Sequence, residues 1–182
     1  LENIDPNNHD TIITAFTNNN CKHHFLKEEL IGSENTSPFE SLGNKLCPVC
    51  RGEVQMWYSG GFLHGRPHKK GTAWFNNGTN YKKFEGTWSE GLLDDGKMDY
   101  KNGDIYTGKF LPHPDDGEQP EGKGVMEYHT GDVYYGNFQN GYKEGKGTME
   151  YENGDRYEGG WEIDKKNGRG EMLYSDGARY VG

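Results

Sequence analysis

In the C-terminal half of the chain the apolar residues fall two apart rather than three or four apart. Tyr134, Gly136 and Phe138 alternate with Tyr135, Asn137 and Gln139, so an extended segment would carry its rings on one face. Asn140-Gly141 opens a turn that is expected to run to Gly145. Lys146–Tyr151 then returns with Gly147, Met149 and Tyr151 sharing a face. Glu152-Asn153-Gly154-Asp155 supplies residues that tolerate positive φ, as a tight turn requires. The pattern predicts a β-hairpin and a connection to another.

The same frame, aromatic-x-Gly-x-aromatic, recurs. Tyr106-Thr107-Gly108-Lys109-Phe110 and Tyr157-Glu158-Gly159-Gly160-Trp161 repeat it closely. Phe84–Trp88 is a looser copy, Tyr58–Phe62 a fainter one, and the chain stops inside another at Tyr180. Starts at 58, 84, 106, 134, 157 and 180 are spaced by 26, 22, 28, 23 and 23 residues, a basic length of 22–23. The long interval implies an insertion at Leu111–Glu121. Glycine at a central strand position weakens the strand by itself and therefore needs a reason. The expected one is an aromatic ring lying over the bare backbone. A lone hairpin is marginal, so stacking must bury the aromatic row between successive copies. Five such hairpins would extend about 48 Å as a twisted antiparallel ribbon, at about 4.8 Å per strand.

Upstream the pattern changes. Thr11–Phe16 reads as a short strand, Phe25–Ile31 has helical spacing that ends at Gly32, and Ser33–Lys45 is a polar loop. The boundary is expected near Gly52–Gln55. This gives a small module over 1–54, a degenerate first repeat or linker over 55–83, and repeats over 84–182. The fold class is mainly β, a hairpin-repeat ribbon preceded by a small α+β module. A start at Leu1 rather than Met, with an end inside a repeat, is the pattern of a piece of a longer protein.

Composition sharpens this picture. Of 182 residues, 13% are aromatic and 28 are glycine, which suits many short strands and not a disordered chain. The net charge of −9 is uneven, with 21 acidic against 11 basic residues from Phe84 onward. Such an array should be repelled by nucleic acid and by anionic membranes. No apolar run approaches the roughly 20 residues that span a bilayer.

The repeats resemble MORN (membrane occupation and recognition nexus) repeats, whose frame is approximately Y-x-G-x-W/F-x-x-G-x-x-x-G-x-G-x-x-x-Y-x-x-G-D. Tyr134, Gly136, Phe138, Gly145, Gly147, Tyr151, Gly154 and Asp155 sit on it, as do Tyr157, Gly159, Trp161, Gly168, Gly170, Tyr174 and Gly177. The likeness is strong over Phe84–Gly182 and weaker over Tyr58–Lys83. It implies a repeat core of Phe84, Trp88, Tyr106, Phe110, Tyr134, Phe138, Tyr157 and Trp161. It also implies an interaction and assembly module, of the kind found in ciliary, cytoskeletal and membrane-junction proteins.

One constellation carries chemistry. Cys21, His23, Cys47 and Cys50 form two close pairs that use all three cysteines, a ligand set suited to one tetrahedral zinc. His24 is an alternative to His23. Four protein ligands leave no open position, so such a zinc would be structural. The segment resembles one half of a RING finger, and with a single site it looks like the SP-RING type, the metal-free U-box being a cousin. That resemblance implies contacts to a ubiquitin- or SUMO-conjugating enzyme at Leu46, Pro48, Val49 and Arg51. Gly122-Lys123-Gly124 and Gly145-Lys146-Gly147 are repeat elements, since strand-like residues rather than a helix follow them. Asp94-Asp95-Gly96 and Asp115-Asp116-Gly117 read as turns.

These observations point to a non-catalytic scaffold or adaptor with protein partners and no catalytic residues. Its expected location is the cytoplasm, with a cilium or the cytoskeleton as the leading setting. Two rivals stay open. One is a ligase that uses the RING-like module, the other a lipid-binding platform, which the acidic repeats disfavour.

Overall fold

A computed structural model of the chain describes residues 12–17, 22–26, 54–76, 79–113 and 117–182, the first two stretches through their backbone. The protein is mainly β and divides into two compact bodies, Leu1–Leu92 and Leu93–Gly182. The first holds β1 (Ile12–Thr17), β2 (Lys22–Leu26), β3 (Val54–Leu63), β4 (Arg66–Phe75) and β5 (Tyr81–Ser89) in the order β5-β4-β3-β1-β2. The second runs through β6 (Leu92–Tyr100), β7 (Ile105–His113), β8 (Gly117–Glu127) and β9 (Val133–Gln139). It continues with β10 (Tyr142–Glu150), β11 (Arg156–Glu162), β12 (Lys165–Leu173) and β13 (Arg179–Val181). Its strands lie side by side in chain order, every described pairing being antiparallel.

Two turn types build this order. The hairpin tips Asn140-Gly141 and Ile163-Asp164 are two-residue turns with positive φ throughout, at 49° and 83° and at 45° and 63°. That geometry matches the twist of the flanking strands. On the opposite edge, Tyr151 N–H donates to Asp155 O and Gly154 N–H to Tyr151 O, with Gly154 at φ 87°. The same pair of bonds recurs at Tyr100–Asp104, Tyr128–Asp132 and Tyr174–Ala178.

Several expectations change. The return strand β10 starts at Tyr142, not Lys146, because the turn needs only two residues. Gly145 and Lys146 are then absorbed as a bulge: Glu144 pairs with Asn137 and Gly147 with Gly136, leaving the two residues between them unopposed. Asp94-Asp95-Gly96 lies inside β6 rather than in a turn. Between Trp88 and Gly96 this copy has one residue fewer than Phe138–Gly147 and Trp161–Gly170, which accounts for the 22-residue spacing. Phe25 and Leu26, expected to begin a helix, lie in β2, where they pair with Ile13 and Ile12. Strand pairing overrides the local helical spacing there. Residues 27–31, with the loop expected at Ser33–Lys45, lie outside the described residues.

The insertion at Leu111–Glu121 prolongs a hairpin. Leu111 pairs with Gln119, Pro112 with Glu118 and His113 with Gly117, so β7 and β8 reach beyond the point where β9 and β10 turn.

Candidate functional site

In four copies the core begins with one tyrosine lying over two glycines. Gly136 and Gly147 face each other across β9 and β10, and a Cβ on either would fall 2.3 Å from the Tyr134 hydroxyl oxygen. Tyr157 covers Gly159 and Gly170, Tyr106 covers Gly108 and Gly124, and Tyr58 covers Gly60 and Gly71. The ring therefore comes from the glycine's own strand, two residues earlier. Its hydroxyl then donates to the carbonyl three residues on: Tyr58 to Gly61 at 3.0 Å, and Tyr106 to Lys109, Tyr134 to Asn137 and Tyr157 to Gly160, each at 3.1 Å. The glycines form a continuous row, Gly96-Gly108-Gly124-Gly136-Gly147-Gly159-Gly170, with one residue from each successive strand.

Beside that row the rings interlock. Phe110, Tyr106, Phe138, Tyr134, Trp161 and Tyr157 form a zigzag of edge-to-face contacts at 5.1–5.4 Å between centroids. Phe62–Tyr58–Trp88–Phe84 repeats it in the first body. Each such contact contributes about 1 kcal/mol beyond the area it buries. Phe84, Trp88, Tyr106, Phe110, Tyr134, Phe138, Tyr157 and Trp161 are all buried, none more than 6% exposed. In the second body a methionine completes the face: Met98, Met126 and Met149 each pair with a core tyrosine, and Met172 pairs with Tyr157, whereas Ala73 holds this place beside Tyr58. In the first body burial extends to the opposite face, where Trp57 and Trp74 pair across β3 and β4.

Two features escaped the sequence reading. The first is a carboxylate link from each repeat to the next. Asp104 accepts from the backbone N–H of His129 at 2.8 Å, Asp132 from Glu152 at 3.0 Å and Asp155 from Ser175 at 2.8 Å. Ala178 occupies the corresponding position in the last copy. On the hairpin-tip edge Glu121 caps Asn140 N–H and Glu144 caps Ile163 N–H, at 3.0 and 3.1 Å. Burial acts to raise the Asp104 pKa, but the bonds from His129 and Asn102 outweigh it and hold the group below the ordinary carboxylate value. The second feature is Lys143, half-buried with its amine 5.2–5.8 Å from the ring centres of Tyr128, Trp161 and Tyr134. Burial opposes its charge. The Tyr128 hydroxyl, 2.9 Å from the amine, and Asp164 at 3.4 Å prevail and raise its pKa. The one signal for either was positional, a charge at a fixed place in successive copies.

The other face of the second body is polar. Lys123, Asn137, Lys146, Gly160 and Arg169 form a row across β8–β12. Of the residues singled out upstream, His23 lies in β2, whereas Cys21, Leu46, Cys47, Pro48, Val49, Cys50 and Arg51 lie outside the described residues. Among the described residues no group of His, Cys, Asp and Glu side chains is placed to hold a metal ion. Among them, too, no helix is long and apolar enough to cross a membrane.

Comparison with known families agrees with this geometry. The MORN repeat family model matches residues 58–80, 119–133, 134–156 and 157–179. The chain carries four MORN repeats. No curated protein matches it. Residues 84–105, read above as a stronger copy than 58–80, fall outside the matched stretches. They carry Phe84 in place of the hydroxyl-bearing tyrosine and have one residue fewer before Gly96. MORN repeats suggest a role in protein interaction or membrane binding.

Proposed function

We propose that this chain is a non-catalytic scaffold or adaptor that holds protein partners through its MORN repeats. The observation that carries the reading is the division of labour in the repeats. The frame residues, from Tyr58 and Phe84 through Tyr157 and Trp161, are consumed in packing, while the polar face, the hairpin tips and the β7–β8 extension stay exposed. Exposed side chains on a rigid frame are how recognition is usually built. A net charge of −9 favours protein partners over anionic lipid. Its setting in a cilium or the cytoskeleton is supported by where repeats of this kind recur.

In-cell crosslinking of the tagged chain, followed by sizing, tests this reading. Stable protein complexes larger than the monomer are expected. A monomer without crosslinked partners, or tight binding to anionic vesicles in their place, would overturn it. We further propose one structural zinc held by Cys21, His23, Cys47 and Cys50, supported by their spacing.

A further inference from the structure

The row of cations on the polar face of the second body has an unusual status. Lys123, Lys146 and Arg169 occupy one position in three successive copies, the middle of Gly-Lys-Gly, Gly-Lys-Gly and Gly-Arg-Gly. All three are exposed, and none forms an ion pair with a described residue. The carboxylates around them are engaged elsewhere. Glu158 is held by Arg156 at 2.8 Å and Glu171 by Arg179 at 2.9 Å. Glu162 bonds Asn167, and Glu121 and Glu144 cap hairpin tips. Between Lys146 and Arg169 lies a groove of about 550 Å³, walled by Thr148, Glu158 and Gly160. An acidic protein therefore keeps three uncompensated cations in a line.

The spacing of that line selects its occupant. Successive cations lie two strands apart, about 9.6 Å at the usual strand separation. Carboxylates seven residues apart on an α-helix are about 10.5 Å apart, close enough for flexible lysine and arginine side chains to absorb the difference over three positions. An extended peptide repeats its side chains on one face about every 6.8 Å, which does not keep pace with the row. The phosphates of nucleic acid are spaced closely enough to fall against Glu158 and Glu171 as well as the cations. An anionic membrane would meet the net negative charge of the body as well as the cations. We propose that this face docks an acidic α-helix of a partner protein, laid across β8–β12 with carboxylates at seven-residue intervals against Lys123, Lys146 and Arg169.

The proposal rests on the reading of the repeats as a protein-interaction module. Its test uses the full chain and a labelled alanine/glutamine helix with glutamate at every seventh position, followed by fluorescence anisotropy at low salt. The expected result is saturable binding, weakened about tenfold in Lys123→Glu/Lys146→Glu/Arg169→Glu and severalfold in Lys146→Gln alone, since a few exposed ion pairs supply energies of that order. The melting curves of both variants should match the parent. Equal binding of a control helix with glutamate at every fifth position, or an unchanged affinity in the charge-reversed chain, would overturn the proposal. Preferential binding to phosphatidylserine vesicles would overturn it as well. Repeating the in-cell crosslinking with the reversed chain separates the two ideas. Partners retained in full would overturn the helix dock while leaving the interaction reading in place.

Discussion

The Tyr134 hydroxyl donates to the carbonyl oxygen of Asn137, three residues along its own strand, at 3.1 Å. This bond bends the side chain back along β9, so that one ring shields Gly136 and Gly147 together. Tyr134→Phe keeps the ring and loses the bond, leaving a part-buried carbonyl without its donor. Urea unfolding should show a loss of about 1 kcal/mol. Gly147→Ala would force the ring away and should cost several times more. Equal effects from the two substitutions would refute this division between ring and hydroxyl.

Alkaline pH should expose the same tyrosines. Burial raises the Tyr134 pKa to about 12, and those of Tyr58 and Tyr106 also rise because of burial. Between about pH 10 and 12 the unfolded chain gives up these protons while the folded chain keeps them. The raised groups therefore contribute their full stabilisation below pH 10 and lose it as pH climbs through the folded values. Thermal melts should fall steadily above pH 10, with a shallower slope in Tyr134→Phe.

Asp104 predicts the opposite limb. Its folded pKa is depressed, so its contribution is present above the ordinary carboxylate value and disappears as pH falls through the lower folded one. Asp104→Ala should cost about 1 kcal/mol at pH 7, as loss of a backbone-capping carboxylate does. The deficit should shrink at acid pH. Hydrogen exchange at His129 would report whether the lost link is the one between repeats.

Lys69 and Ile163 occupy backbone regions that do not suit them. Lys69, at φ 62°, stands where other copies have Gly122, Gly145 and Gly168 at φ 67–69°. Lys69→Gly should stabilise by up to about 1 kcal/mol. Ile163, at φ 45° on a hairpin tip, is β-branched and 62% exposed. Ile163→Asn should stabilise by a similar amount. A drop in melting temperature for either would contradict the strain argument.

If zinc is bound as proposed, metal analysis should find one ion per chain. Removal by a chelator, or Cys47→Ser, should lower the stability of the N-terminal segment and leave the tyrosine-linked melt of the repeats in place. Less than one ion per chain would dismiss the site.

The hairpins, the repeat period and the aromatic row were legible because each depends on local chemistry: alternation, positive-φ residues and a glycine that needed cover. That the ring comes from the glycine's own strand was not legible, since strand alternation says which face a residue takes and not which way it leans along it. Asp155 reads as a turn residue, and Asp104 and Asp132 stand at the same place in their own copies. Their carboxylates reach a backbone one repeat away, a relationship that only the stacked sheet creates. Asp94-Asp95 misled because the same dipeptide serves a turn or a strand, and pairing decides between them. The cation row was likewise hidden, for Gly-Lys-Gly reads as a plain repeat element, and it is the bulge that turns each cation onto one face.

The glycine row has a consequence for the evolution of the chain. Gly124 faces Gly136, and Gly147 faces Gly159, so both junctions present the same backbone surface to whatever follows. Excising 134–156 would bring β8 against β11 in an unchanged register, with Trp161 taking the place of Phe138 against Tyr106. Such a protein shortens or lengthens by whole hairpins, and recombination between copies can resize it without designing a new core.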